Sequence, residues 1–123
     1  MKKGIGQEDK MHINFGQMLA QYEFYNQLHC DFATYCPYGE QRTITTGAML
    51  KKKFTRKGVP DFMFIKGGEI VWLEFKTKTG KQSSSQQEFE EMCKKSDNMY
   101  YYIVRSIEEA INVLKEHLII KDN

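Results

Sequence analysis

The chain has 123 residues, 41% hydrophobic and 28% charged, which suffices for one hydrophobic core and not for two. Cys30, Cys36 and Cys93 are odd in number and lack C-x-x-C spacing, so neither a disulfide framework nor a zinc site is expected, and a reducing cytosol is the expected setting. No stretch is apolar over the length a bilayer requires, and Met1-Lys-Lys-Gly-Ile-Gly has no apolar run behind its charge, so neither a membrane span nor a signal peptide is expected. The formal net charge of +2 is unevenly spread: residues 42–81 carry +7, residues 1–41 carry −2 and residues 82–123 carry −3. A basic middle of this kind means either a polyanionic partner met by one face or a solvated lysine-rich helix.

In chain order, residues 1–12 read as a loose polar leader. From Asn14 to Leu28, the residues Met18, Leu19, Tyr22, Tyr25 and Leu28 recur at helical spacing and predict a buried stripe. Asp31 to Cys36 reads as a strand closed by Pro37-Tyr38-Gly39. Thr45 or Thr46 caps a helix expected over 47–56, with Met49 and Leu50 inward and the lysines outward. Phe62 to Ile65 and Glu69 to Thr77 form two strands around a Lys66-Gly67-Gly68 turn. In the second, Val71, Leu73 and Phe75 share one face while Ile70, Trp72, Glu74 and Lys76 share the other. Ser83, Ser84 and Ser85 offer caps for a helix to about Lys95, with Phe89 and Met92 facing the core. Met99 to Val104 is a further strand. Ser106-Ile-Glu-Glu109 is a capping box for a last helix whose apolar face is Ala110, Ile111, Val113, Leu114 and Leu118. The order α-β-α-β-β-α-β-α predicts an α/β fold, a mixed sheet flanked by helices in one domain.

Asp61, Glu74 and Lys76 carry the chemistry. Glu74 and Lys76 stand two apart on one strand face, and Asp61 opens the preceding strand of the same hairpin, about 5 Å away across the ladder. Two hard carboxylates with room for water suit Mg²⁺, which would polarise a phosphate and supply or orient the attacking water. Lys76 would hold that water or the phosphate. The plain alternative for Glu-x-Lys on a strand is a surface pair worth a few tenths of a kcal/mol. A strand as apolar as this one has little structural reason to end in two charges on one face.

Gly39-Glu-Gln-Arg42, Gly58-Val-Pro-Asp61, Glu74-Phe-Lys76, Gly80-Lys-Gln-Ser83 and Gln86 together resemble the virus-type replication-repair nuclease (VRR-NUC) domain of the PD-(D/E)xK nuclease superfamily, over residues 14–118. The resemblance implies a restriction-endonuclease-like fold and a divalent-metal endonuclease acting on structured DNA, with Mg²⁺ as cofactor and Mn²⁺ able to replace it. It implies Asp61, Glu74 and the Phe75 carbonyl as metal ligands, Lys76 as the residue serving the nucleophile, and Gln86 as a supporting residue. Gln86 could equally cap its own helix through Ser83-x-x-Gln86. Small stand-alone members resemble Holliday-junction resolvases that work as homodimers, often phage-encoded, in the host cytoplasm. One departure stands out: the first-helix Glu that completes the metal shell has no counterpart near Gln17, and Glu23 is the remaining acid proposed on that helix. A non-catalytic DNA-binding module with the same fold is the alternative that this departure favours.

Lys51, Lys52, Lys53, Arg56, Lys57 and Lys78 are expected to follow DNA backbone. Arg42 either binds phosphate or closes its turn. Tyr100, Tyr101 and Tyr102 either stack on bases or pack in the core, and core packing is the better reading for an alternating strand. His12, His29 and His117 show no shared ligand spacing and receive no role.

Overall fold

The structure, a computed structural model, describes residues 6–37, 48, 49 and 51–122. Among these, four strands form one mixed sheet in sequence order: β1 (Phe32–Tyr35), β2 (Phe62–Lys66), β3 (Glu69–Phe75) and β4 (Met99–Val104). Gly67 and Gly68 take positive φ, +57° and +83°, as a two-residue hairpin turn demands. The turn fixes the β2–β3 register at Lys66↔Glu69 through Phe62↔Leu73. β1 and β2 are antiparallel, and β3 and β4 are parallel, so the β3–β4 crossover needs a helix.

That helix is α2 (Ser84–Lys94), preceded in the chain by α1 (Gln7–Phe24) and followed by α3 (Ile107–Glu116). The sheet separates two apolar layers, as its alternation requires. Val71, Leu73 and Phe75 meet Phe15 of α1 and Ala110, Ile111 and Leu114 of α3 in the main core. Trp72 and Ile70 point the other way, onto Phe89 and Cys93 of α2. This is the expected division of faces, and the mixed sheet flanked by helices is the expected fold.

Several boundaries differ from expectation. α1 opens at Gln7 rather than Asn14, so half of the expected leader is helix. Gly6 takes the N-cap position, and Glu8 and Asp9 sit in the first turn, where acids complement the helix dipole. The helix ends at Phe24, and Tyr25 is 61% exposed; the residue that is fully buried on α1 is Phe15. β3 stops at Phe75, although Lys76 still donates its N–H to the Val104 carbonyl at 3.0 Å.

On α2, Cys93 rather than Met92 is buried, one helical step from Phe89 on the same stripe. Ser106 caps α3, but Glu109 accepts the Arg105 N–H rather than that of Ser106, so the expected capping box is only half formed. Leu118 takes φ +58° and is exposed; the chain reverses there and sends Ile119 and Ile120 into the core instead. Of the helix expected over 47–56, residues 48, 49, 51 and 52 are helical, Met49 is exposed rather than inward, and Phe54 at φ +69° lies beyond the helical turn. Thr45, Thr46 and Leu50 lie outside the described residues, as do residues 1–5. None of the described helices is long and apolar enough to cross a membrane.

Candidate active site

The hairpin register carries straight into the site. With Phe62 opposite Leu73, the next pair outward is Asp61 and Glu74. The Asp61 backbone is fastened on the other side, where its carbonyl accepts the Cys36 N–H at 2.7 Å. Its carboxylate turns inward, and Oδ2 accepts the Phe75 N–H at 2.7 Å. In an extended strand the N–H and C=O of one residue point the same way, so the Phe75 carbonyl faces the Asp61 side. The loop that delivers Asp61 depends on Gly58. At φ +84°, a Cβ on Gly58 would lie 2.3 Å from the Ser85 carbonyl oxygen. A larger residue would push the loop off the first turn of α2.

Glu74 is 2% exposed, and its Oε1 has no hydrogen-bond partner among the described residues. A buried carboxylate oxygen without a partner is costly. Burial first, and then the charge of Asp61, push its pKa up to about 9, while Lys76 pulls in the opposite direction. Lys76 is itself only 9% exposed. Its position next to Glu74 on the strand face gives one cation to three nearby acids, since Glu8 also contributes to the field on Glu74.

Glu8 and His12 were not expected here. They stand one turn apart on α1, and the first turns of that helix overhang the end of the sheet. One ligand atom from each of Glu8, His12 and Asp61 falls within 4.8 Å of the other two. His12 Nε2 lies 3.2 Å from Asp61 Oδ2, without hydrogen-bonding alignment. Burial lowers the His12 pKa, but the carboxylates of Asp61, Glu8 and Asp9 outweigh it and the net direction is up. The signal for this pair was Glu8-x-x-x-His12, an i, i+4 pair on one helix face.

A divalent cation fits these residues. The donors are hard carboxylate oxygens plus one imidazole, they converge from three elements, and a buried carboxylate oxygen lacks a partner. Asp61 is brought to Phe75 by their hydrogen bond and stands close enough to Glu74 for its charge to act there, whereas the three ligand atoms within 4.8 Å of one another come from Glu8, His12 and Asp61, not from Glu74. Glu23 is not brought to them: it is exposed and lies fifteen residues beyond Glu8 on α1, about 22 Å along the axis.

Gln86 sits at the start of α2, where its side-chain oxygen accepts the Ser83 N–H at 2.8 Å and Ser83 Oγ accepts the Gln86 N–H. That is the capping arrangement. Lys51, Lys52, Lys53, Arg56 and Lys57 are on the segment that leads into Gly58, and all are exposed. Lys78 is exposed in the turn after β3, not on the strand. Arg42 lies outside the described residues. Two further residues hold the surroundings. Arg105 donates to the carbonyls of Thr77 and Gly80, at 2.7 and 2.9 Å, and so clamps the loop after Lys76. Gln82 donates to the Tyr101 hydroxyl and to Glu90. The three tyrosines of β4 are half-buried and pack against the two cores, Tyr100 and Tyr102 on one and Tyr101 on the other.

No protein-family model matches the sequence, and no curated protein does. A solved structure described as "VRR_NUC domain protein" superimposes on this one with a TM-score of 0.64, at 16% identity, covering 98% of this chain and 94% of that one. The architecture is thus restriction-endonuclease-like, a mixed sheet between helices with a carboxylate cluster at its end. More narrowly, the fold is that of a VRR-NUC domain.

Proposed function

We propose that the chain is a divalent-metal-dependent endonuclease acting on structured DNA as a single domain. The observation that carries this is the buried Glu74 carboxylate beside Asp61, whose Oε1 has no hydrogen-bond partner among the described residues, with Lys76 two residues on and Glu8 contributing to its field. Acids gathered at the end of a sheet repel one another, and a bound divalent cation would relieve that repulsion. Asp61, Glu74, Glu8 and the Phe75 carbonyl are the residues suited to hold the ion, which supplies Lewis acidity at the scissile phosphate. Mg²⁺ suits the oxygen donors, and Mn²⁺ suits a set that also includes His12.

Asp61 is held rigid by the Phe75 N–H, so it needs little reorganisation to serve as a ligand. Lys76 positions its ammonium beside the carboxylates, where it can orient the attacking water or balance charge developing on the phosphate. Gln86 supports this corner by capping the first turn of α2 with Ser83, the turn against which Gly58 lies. Lys51, Lys52, Lys53, Arg56, Lys57 and Lys78, together with Arg42, supply phosphate contacts that set affinity and salt dependence rather than sequence preference.

The proposed substrate is branched DNA, such as a Holliday junction. A homodimer would provide the two sites needed to cut two symmetry-related strands. A phage-encoded enzyme working in the reducing cytoplasm of its host fits the unpaired cysteines. The alternative, a non-catalytic DNA-binding module, drew its support from a missing first-helix acid, and Glu8 supplies an acid from that helix. Cleavage of labelled four-way junction, flap and linear duplex with Mg²⁺, Mn²⁺ or EDTA tests the reading. Metal-dependent cutting of branched DNA is expected; no cutting of any substrate under any metal would remove it.

A further inference from the structure

Phe54 combines three features that no other described aromatic residue shares. Its ring is 70% exposed, its backbone φ is +69°, and it lies within residues 51–57, which hold five cations and no acid. A bulky side chain in the left-handed region is a true outlier, and such outliers gather where function requires them. Burial does not explain the conformation, because the ring is not buried. The positive φ closes the helical turn before it, where the Phe54 N–H donates to the Lys51 carbonyl at 3.0 Å, but Gly or Asn would fill that position at less cost than a phenyl side chain.

The Arg56 guanidinium lies 3.4 Å from the ring centroid. A guanidinium at that distance covers one face of a ring, and a residue that remains 70% exposed has its other face available. The result is an aromatic surface backed by a cation and flanked in the sequence by Lys51, Lys52, Lys53 and Lys57, all exposed. A protein partner for such a surface would have to be acidic and present its own aromatic group. A nucleic acid strand offers both properties at every residue: a negative phosphate and a planar base. Base–aromatic stacking flanked by backbone-tracking cations is how single strands are held.

Chain length fixes how far this surface can be from the candidate active site. Gly58 is packed against Ser85 and Gln86, and Phe54 is seven residues before Asp61. Seven extended residues reach at most about 25 Å, or roughly seven nucleotides of strand at 3.4 Å each.

We propose that Phe54 is a stacking platform for an unpaired base, and that the preferred DNA carries unpaired or easily opened bases within about seven nucleotides of the cut. A base inside continuous duplex has both faces occupied by its neighbours, so it cannot use the platform without being unstacked. This rests on the nuclease reading above and narrows its substrate to DNA with a single-stranded element, such as a flap or an open branch point.

The test uses the full chain with Ca²⁺ in place of Mg²⁺, so that DNA is bound rather than cut. The probes are a flap DNA carrying 2-aminopurine at the first unpaired position and a continuous duplex of equal length. Wild type is expected to prefer the flap and to quench the 2-aminopurine on binding. Phe54→Ala and Phe54→Asn should each bind the flap roughly tenfold more weakly, lose the quench and leave duplex affinity unchanged. Phe54→Asn tolerates the positive φ, so it should also melt at a higher temperature than wild type. A gain in stability with a loss of flap binding is a result that a merely structural residue would not give.

Unchanged flap affinity and quench in both variants would overturn the proposal, as would equal losses on flap and duplex. If DNA binding is unchanged but the sedimentation mass falls, the ring belongs to a contact between copies and the proposal is wrong. Absence of any DNA binding by wild type would instead overturn the nuclease reading and this inference with it.

Discussion

Asp61 Oδ2 accepts the backbone N–H of Phe75 at 2.7 Å, which ties the first carboxylate of the site to the residue between Glu74 and Lys76. A carboxylate bonded to a backbone N–H is held in one orientation by a charge-assisted bond, worth roughly 1.5–3 kcal/mol. Asn at position 61 can still accept that bond through its amide oxygen, so Asp61→Asn should keep the geometry while removing the charge. Glu8→Gln and Glu74→Gln likewise preserve size. Each of the three is expected to weaken Mn²⁺ binding strongly and to abolish cleavage, with the fold retained. Glu23→Gln, far along α1, should bind Mn²⁺ like wild type. Calorimetric titration decides: if Glu23→Gln is the variant that loses metal and Glu8→Gln is not, the first-helix ligand is misassigned.

The Glu74 carboxyl gives a pH dependence with a definite sign. Its pKa is pushed from 4.5 in the ordinary state to about 9 in the folded chain, by burial and then by Asp61. Between those values the folded protein holds a proton that the unfolded chain has given up, so stability falls as pH rises. The contribution is intact below about pH 4.5 and is lost as pH climbs towards 9. In EDTA, Glu74→Gln should therefore melt above wild type at pH 8 and close to it at pH 4.5. Adding Mn²⁺ at pH 8 should raise the wild-type melting temperature and leave the variant unmoved, because binding to the folded state is what stabilises it. Parallel melting curves for the two proteins at both pH values would mean that Glu74 is not held as a strained acid.

Asp61, Glu74 and Lys76 were legible in the sequence because everything that joins them is local. Two glycines set a hairpin, the hairpin sets a register, and strand alternation assigns faces. Glu8 and His12 were not legible. Their i, i+4 spacing defines a helix face, but that this face meets Asp61, about fifty residues on, is decided by how α1 packs on the sheet. Phe15 drives that packing, and it sits between Asn14 and Gly16, where no apolar run draws attention to it. The polar start with Gly4 and Gly6 reads as a loop because helix propensity is a weak prior that tertiary contacts override. Tyr25 and Leu118 went astray for one reason: each continues a helical stripe past the point where the chain stops being helical.

The basic segment makes a separable prediction. Lys51, Lys52 and Lys53 are exposed, so replacing them with Gln should not disturb the core. If they meet phosphates, affinity should fall alike for every DNA sequence. The slope of log affinity against log salt should flatten by about 0.9 for each duplex phosphate that is no longer neutralised. Fluorescence anisotropy across a salt series measures both. An unchanged slope with unchanged affinity would mark the three lysines as a solvated surface.

Lys76 and Lys78 separate chemistry from electrostatics. Lys76 is 9% exposed beside Glu74, whereas Lys78 is exposed in the turn beyond β3. Both belong to a region already at +7, so neither should add much to overall DNA affinity. The difference must appear in the rate. An ammonium that meets the reacting phosphate from a largely buried stem is shielded from bulk water, and one such group typically contributes about 10²- to 10³-fold. A solvated lysine is screened and contributes little. Lys76→Met keeps length and the apolar stem that packs near Gly80, so the fold should survive. The single-turnover rate on saturating branched DNA is expected to drop by about two orders of magnitude or more in Lys76→Met and to change little in Lys78→Met, with similar dissociation constants for both. Equal and modest losses in the two variants would reduce Lys76 to another phosphate contact, and the assignment of Glu74-Phe75-Lys76 as the catalytic strand would fall with it.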